Sequence, residues 1–330
     1  MLAASDRRVY VVEPEGPEEW FEELKKEAEV IFLYPEKALT PEEVRKVVSD
    51  ATAMIITSRC GVSAEDMEHA KSLGIISKCG AKPSNVDIDA ATKKGIAVTF
   101  TPGANSTTVA EFAVMMMMAC LRRLNLLIDM VAKDEWRSPY TMGRELRDKV
   151  VGLIGYGAIG REVARRLEGY DCQVLAYDPY YKKGDEPKCV TFIDDLKRLI
   201  TQSDVISIHC MLTDETYHLL SDKEFAMMKP TAVVVNTARG PIIDEEALAR
   251  ALKEEKIWGA AIDVYAEEPA KSTHPLVGLK NAILTPHVAG WTEETIMREV
   301  GGAVKSVLAY LRGEEIPGLI NPDYAKHRRA

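Results

Sequence analysis

The sequence predicts an α/β protein built from two doubly wound parallel-sheet domains, and three observations carry that prediction. Strand-like and helix-like segments alternate almost from the start of the chain. A glycine fingerprint, Gly155-Tyr156-Gly157-Ala158-Ile159-Gly160, lies between a strand-like and a helix-like run, and the array before it has no such fingerprint after its opening strand. Two α/β arrays are therefore expected, of which only the later one is built for a dinucleotide.

The first array reads as strand 9–12, helix 18–27, strand 30–33, helix 42–48, strand 53–56, helix 65–72, strand 75–78, helix 88–94 and strand 97–99. Its second helix opens with a capping box, Thr40 and Glu43, and has Pro41 at its first position. Pro102 to Ser106 then opens a helical stretch through 110–123, and 133–147, with Trp136, Pro139 and Gly143, reads as an irregular arm. The second array has strands 150–154, 173–177, 205–209, 232–236, 259–263 and 281–284, with helices 161–167, 222–228 and 245–255 between them. An amphipathic helix, 293–311, ends the ordered part.

At 330 residues the chain has length for about two domains, and its 46% hydrophobic and 28% charged content suits a globular enzyme. The N-terminus lacks the apolar core of a signal peptide, and no apolar run reaches the ~18 residues of a membrane span. The nearest, 112–121 with methionines at 115 to 118, ends in Arg122-Arg123 and reads as a buried helix. A net charge of −9 with no basic stripe argues against nucleic acid as a partner. The six cysteines show neither C-x-x-C pairing nor metal-ligand spacing, so free thiols in a cytoplasmic protein without a metal are expected.

The fingerprint has a physical reading. Gly155 and Gly157 allow a tight turn and close approach of a pyrophosphate, Gly160 lets the helix press on the strand, and the helix N-terminus offers free N–H groups. Asp178, eighteen residues past Gly160, stands where an acid meets the ribose 2′-hydroxyl and repels a 2′-phosphate, which favours NAD over NADP. Lys182 and Lys183 follow closely enough to soften that preference. The plain alternative is a structural turn with a capping aspartate; strand, glycines, helix and acid in register make it the lesser reading.

Ligands of an open parallel sheet bind beyond the carboxyl ends of its strands. There the sequence places Thr237-Ala238-Arg239-Gly240, then Asp263 leading to Glu267-Glu268-Pro269, then Thr285-Pro286-His287-Val288-Ala289-Gly290. An arginine can clamp a substrate carboxylate in a bidentate fork, and a histidine can take or return a hydroxyl proton as hydride moves. A glutamate on the other ring nitrogen fixes the tautomer and raises the basicity. Singly, Arg239 reads equally well as a surface ion-pair residue, Glu268 as a turn cap and His287 as a structural histidine. Together on a dinucleotide sheet they point to catalysis. His69, His274 and His327 fall on expected helix or loop surfaces and read as structural, and His209 and His218 are given no chemistry.

The chain resembles the D-isomer-specific 2-hydroxyacid dehydrogenases over nearly its whole length. Asn85-Val86-Asp87, Thr101 to Asn105, Val151 to Gly160, Val235 to Gly240, Gly259 to Asp263 and Leu284 to His287 carry the resemblance, in the family's order. It implies Arg239, Glu268 and His287 as the catalytic trio and Asp263 as the residue holding the nicotinamide carboxamide. The expected cofactor-binding set is Gly155, Tyr156, Gly157, Ala158, Ile159, Gly160, Asp178, Cys210, Met211, Thr216, Thr237, Ala238, Arg239, Asp263, His287 and Gly290. The expected substrate-binding set is Cys79, Gly80, Ala81 and Lys82, with Arg239 and His287.

The resemblance also implies an architecture: a Rossmann NAD-binding domain, 102–290, inserted into a flavodoxin-like substrate domain made of 1–101 and 291–330. It further implies hinge closure and a homodimer joined through the cofactor domains and the arm. Two places depart from the family pattern. The loop Gly80-Ala81-Lys82-Pro83-Ser84 has a lysine where glycine is common, suited to an extra anion or merely solvated, and Arg59 stands two places from the arginine that phosphoglycerate dehydrogenases use for phosphate. The expected activity is an NAD-dependent D-2-hydroxyacid dehydrogenase, resembling phosphoglycerate dehydrogenases without a regulatory extension, since the chain ends near Ala330. A glyoxylate or hydroxypyruvate reductase is the alternative within the class. Formate dehydrogenases share the fold but carry a glutamine in place of Glu268, and a dinucleotide-sensing corepressor, similar to the C-terminal-binding proteins, is the non-enzymatic alternative.

Overall fold

The computed structural model describes residues 6–80, 84–181 and 187–327. The chain divides into two compact units, Met1–Asn105 with Trp291–Ala330, and Ser106–Gly290.

In the first unit β1 (Arg8–Val12), α1 (Glu22–Lys25), β2 (Glu29–Leu33), α2 (Pro41–Asp50), β3 (Ala53–Ile56), α3 (Ala64–Met67), β4 (Ile75–Lys78), α4 (Ile88–Lys93) and β5 (Ala97–Thr99) alternate. The five strands are parallel in the order β2-β1-β3-β4-β5, that of flavodoxin-like sheets. Every residue of β3 and β4 is buried, as parallel strands covered on both faces require. The capping box of α2 is complete: Glu43 Oε2 accepts from the N–H of Thr40 at 2.8 Å and Thr40 Oγ1 from that of Glu43 at 3.4 Å.

Two expected helices are shorter or tighter than their apolar spacing suggested. Residues 18–27 form a 3-10 turn, Glu18–Phe21, followed by the single turn α1. The helix expected over 65–72 stops at Met67, because the N–H groups of Glu68, His69 and Ala70 turn inward to carbonyls three residues back.

The second unit begins with α5 (Ser106–Leu121) and α6 (Leu124–Ala132), separated at Arg123 by a left-handed residue, φ 52°. It continues through β6 (Val150–Ile154), α7 (Ala158–Leu167), β7 (Gln173–Tyr177), β8 (Val190–Phe192), α8 (Leu196–Gln202), β9 (Val205–Ile208), α9 (Asp222–Met227), β10 (Val233–Asn236), α10 (Glu245–Lys253), β11 (Gly259–Ile262) and β12 (Ala282–Leu284). The sequence pattern had predicted neither α6 nor the short pair β8 and α8. Of the four methionines on α5, Met116 and Met117 are fully buried and Met115 is half exposed, so the run is a core helix with one wet edge.

The seven parallel strands run β12-β11-β10-β9-β6-β7-β8. Counted from β6 this is the 3-2-1-4-5-6 order of dinucleotide-binding sheets with one strand added, and it reverses between β6 and β9. The ladders align Tyr177, Ile154, Ile208, Asn236, Ile262 and Leu284 on one rung.

The chain then returns to the first unit as α11 (Glu293–Arg312). Its apolar stripe, Ile296, Val300, Ala303, Val307 and Leu311, packs on Val9, Val11, Ile55 and Ile75, and Gly313 at φ 75° ends it. All six cysteines are free thiols. Among the described residues no helix is long and apolar enough to cross a membrane, and no cluster of His, Cys, Asp and Glu is placed to hold a metal.

Candidate active site

The glycine turn sits where the second sheet reverses. Gly155 has φ 94°, and a Cβ there would lie 2.5 Å from the backbone nitrogen of Cys210; a Cβ on Gly160 would lie 2.5 Å from the carbonyl oxygen of Gly155. Both glycines let strand, turn and helix close on one another. Gly157 differs: a Cβ there meets nothing within 4 Å, so open space lies before the α7 N-terminus that it caps.

Asp178 is fastened to this turn, its Oδ2 accepting from the N–H of Tyr156 at 2.8 Å and its Oδ1 from that of Tyr180 at 2.9 Å. A carboxylate so engaged keeps lone pairs for a diol. The Tyr156 ring points into the core against Phe192, and Ile159 packs there too, so both serve the turn through their backbone. Ala158 is exposed beside Gly157. In the loop after β9, Thr216 Oγ1 donates to the carbonyl of Met211 at 2.7 Å and accepts from the N–H of Thr213 at 2.7 Å, and the Met211 side chain is exposed. Burial pushes the Cys210 thiol up to about 11, so it stays neutral. His209, partly buried at the same edge, is pushed down to about 4 by desolvation of its ring, and its Nε2 has no partner among the described residues.

Three loops of the second unit bring the expected trio to the carboxyl edge of β10, β11 and β12. Asn236 shapes the first: its amide donates to the carbonyl of Arg239 at 2.9 Å and accepts from the N–H of Ala238 at 3.0 Å. Thr237 is buried with its hydroxyl unpartnered among the described residues, while Arg239 is exposed and has no carboxylate partner among them.

Asp263, fully buried, organises the third loop. Its carboxylate accepts from Thr285 Oγ1 at 2.6 Å and from the N–H groups of Val288 at 2.9 Å and Ala289 at 2.8 Å, and its carbonyl accepts from the N–H of His287 at 2.8 Å. These bonds hold His287 at φ 54°, a conformation rare outside glycine. Its Nδ1 lies 2.7 Å from Glu268 Oε2, and Nε2 has no partner among the described residues. A carboxylate at Nδ1 draws the ring proton there and leaves Nε2 with a lone pair. Gly290 closes this loop at the boundary of the unit.

Tyr265 ties the three loops together. Its N–H donates to Glu268 Oε1 at 3.0 Å and its hydroxyl to the carbonyl of Thr285 at 2.8 Å, while a Cβ on Gly240 would lie 2.0 Å from its carbonyl carbon. His274 is not on the surface as expected. Its side chain is nearly buried, with Nε2 3.1 Å from Glu245 Oε2 and its ring edge-on to Tyr265, and Glu245 Oε1 also accepts from the N–H of Ala266 at 2.9 Å. The apolar spacing around 274 carried no sign of a carboxylate 29 residues earlier in the chain.

In the first unit Gly80 follows β4 at φ 103°, with its N–H on Thr101 Oγ1 at 3.0 Å. The Cys79 thiol is buried and its pKa is pushed up by burial. Ala81 and Lys82, like Lys182 and Lys183, lie outside the described residues. Against Gly80 stands Glu299, whose carboxylate is pushed up to about 7 by burial and by nearby Glu15. Glu15 is likewise raised by burial. Arg59 is engaged at 3.2 Å by Glu13, whose other oxygen accepts from Thr57 Oγ1 at 2.6 Å. The sequence reading missed Glu15 and Glu299, although a glutamate inside the apolar stripe of the last helix was a visible anomaly.

A family model described as the NAD binding domain of D-isomer specific 2-hydroxyacid dehydrogenases matches residues 114–289. The chain belongs to the D-isomer specific 2-hydroxyacid dehydrogenase family. It is similar to the glyoxylate reductase of Thermofilum pendens, 39% identical over 293 residues that cover 87% of this chain and 86% of that one. It is also similar to the D-3-phosphoglycerate dehydrogenase of Methanocaldococcus jannaschii, 37% identical over 86% of this chain but only 54% of that longer protein. Among solved structures, a protein of Thermus thermophilus superposes with a TM-score of 0.86 at 33% identity, covering 95% of this chain and 99% of that one.

This 2-hydroxyacid dehydrogenase is thus an NAD-dependent oxidoreductase, and its turn fits the cofactor. The open space before Gly157 suits a pyrophosphate at a helix N-terminus, and Asp178 has acceptor capacity to spare. An acid in that place favours NAD.

Proposed function

We propose that Arg239, Glu268 and His287 carry the reaction of this dehydrogenase, and that its substrate is a small 2-oxo or 2-hydroxy acid without a distal anion, of the glyoxylate or hydroxypyruvate kind. The 2.7 Å contact between His287 and Glu268, with an exposed arginine that has no carboxylate partner among the described residues at the end of the neighbouring strand β10, is the observation that carries the first part. The chemistry supplied by bound NAD is acceptance of a hydride, or donation of one in its reduced form. Arg239 binds the substrate carboxylate through its fork of N–H donors. His287 Nε2 takes the proton from the C2 hydroxyl in oxidation and returns it in reduction. Glu268 holds the ring in register and stabilises the imidazolium.

Charge around Gly80 supports the second part. Arg59 is occupied by Glu13, and Lys78 and Arg298 face the carboxylates of Glu15 and Glu299, so acids offset the cations around Gly80 that a phosphate would use. We therefore favour the glyoxylate and hydroxypyruvate reading over 3-phosphoglycerate. Steady-state rates with NADH and glyoxylate, hydroxypyruvate or 3-phosphohydroxypyruvate test it: a higher kcat/KM for the phosphorylated acid overturns the substrate reading. Full turnover by His287→Ala overturns the assignment of the proton carrier.

We also propose a homodimer through α6 and the arm. Every residue of α6 is at least partly exposed, and Ile128, Val131, Trp136 and Met142 present apolar surface of the sort that marks an interface. A monomeric mass by light scattering at micromolar concentration overturns it.

A further inference from the structure

A cavity of about 440 Å³ opens at the opposite edge of the second sheet from the glycine turn. Thr231, Trp258 and Asn281, which lead into β10, β11 and β12, line its floor, and Arg123 and Arg144 lie on its wall, Arg144 and Tyr140 belonging to the arm proposed above as a subunit contact. The strands between it and the catalytic edge are four residues long or less, roughly 13 Å.

The charges in this cavity are unbalanced. The guanidinium carbons of Arg123 and Arg144 lie 3.9 and 4.5 Å from the centre of the Trp258 ring, and Arg123 also lies 4.9 Å from that of Tyr140. Lys253 and Lys280 add two ammonium groups to the lining, against one carboxylate, Glu255. Among the described residues neither guanidinium has a carboxylate partner. Elsewhere on the protein Arg45, Arg166 and Arg250 each have one at 2.7 to 3.0 Å.

Nε of Arg123, Nε of Arg144 and Nε1 of Trp258 are buried donors without a partner among the described residues. Arg123 reaches the indole from the left-handed backbone position between α5 and α6, a strained conformation for a non-glycine residue. Two like charges gathered on one indole, with unmet donors around them, describe a site completed by an anion.

We propose that this cavity is a second, non-catalytic site that binds a small organic phosphate. The arginines supply the forked donors that match phosphate geometry, and the lysines supply point charges for a dianion. The volume exceeds that of phosphate alone, and the indole and phenol rings offer a flat apolar wall for the carbon skeleton.

The test uses the full chain saturated with NAD, so that the glycine turn is filled. Inorganic phosphate and glycerol 3-phosphate are titrated against potassium chloride at equal ionic strength, with the thermal midpoint and tryptophan fluorescence as readouts. The expected result is a saturable rise in midpoint with a fluorescence change, tighter for the organic phosphate. Arg144→Gln is expected to weaken it at least tenfold and Lys280→Gln several-fold, with NAD affinity unchanged. Trp258→Phe is expected to keep a midpoint response and lose the fluorescence change. If Arg144→Gln does not fold, Lys280→Gln and Trp258→Phe decide. A response no greater than that to chloride, or one untouched by the Arg144 and Lys280 variants, overturns the proposal. So does a variant that changes subunit mass while phosphate has no effect, since the cavity is then filled by a second copy of the chain.

Discussion

His287 Nδ1 and Glu268 Oε2 stand 2.7 Å apart, and the other oxygen of the same carboxylate takes the backbone N–H of Tyr265. Glu268 thus has one oxygen for the ring and one for its own loop. Replacing it by glutamine preserves size and removes the charge that stabilises the imidazolium. Glu268→Gln is expected to lower kcat about a hundredfold with NADH affinity unchanged, read by steady-state rates and fluorescence titration. A kcat within threefold of the parent removes Glu268 from the reaction.

The Asp263 carboxylate answers three donors in the loop that carries His287. In Asp263→Asn one acceptor becomes a donor facing another donor in a fully buried place. A loss of about 2 kcal/mol in unfolding free energy is expected, together with loss of most activity. Denaturant unfolding and rate assays check it; an equally stable, active variant removes Asp263 as the brace of the loop.

Gly157 and Gly160 separate cofactor binding from folding. A methyl at Gly160 collides with the carbonyl of Gly155, whereas one at Gly157 meets only open space. Gly160→Ala is expected to lower the thermal midpoint, and Gly157→Ala to leave it intact while weakening NADH at least tenfold. Calorimetric titration showing parental affinity in Gly157→Ala means that no phosphate passes there.

Glu299 makes stability depend on pH. Its folded pKa, raised by burial and Glu15 to about 7 while Lys78 and Arg298 pull the other way, exceeds that of an exposed glutamate. The folded state therefore binds the extra proton: the stabilisation is full below about pH 4.5 and is lost as pH rises through 7. Glu299→Gln is expected to gain on the order of 2 kcal/mol relative to the parent at pH 8.5 and little at pH 5. Equal differences at both pH values exclude a buried titrating carboxyl.

What was legible in the sequence is what local chemistry encodes. The glycine spacing, the Asp178 offset and the strand-end positions of Arg239, Glu268 and His287 each sit within one strand–loop unit. The role of Asp263 as a loop brace was not legible, because its donors come 22 to 26 residues later and depend on the pairing of β11 with β12. Nor was the place of His274, which depends on Glu245 across a strand and a helix. The missed α8 and β8 are short and take their burial from neighbours rather than from periodicity of their own.

The common rung formed by Tyr177, Ile154, Ile208, Asn236, Ile262 and Leu284 has a consequence for how such an enzyme can vary. The next residue on each strand is Asp178, Gly155, His209, Thr237, Asp263 or Thr285, so one line of backbone levels the starts of the loops that carry the proposed site residues. A single insertion inside any of these strands shifts that level and inverts the faces beyond it. The exposed stretch 269–273 lies past Glu268 and above no rung, so length changes there leave the line undisturbed. Diversity in this scaffold is therefore expected to enter through the loops and never through the strands.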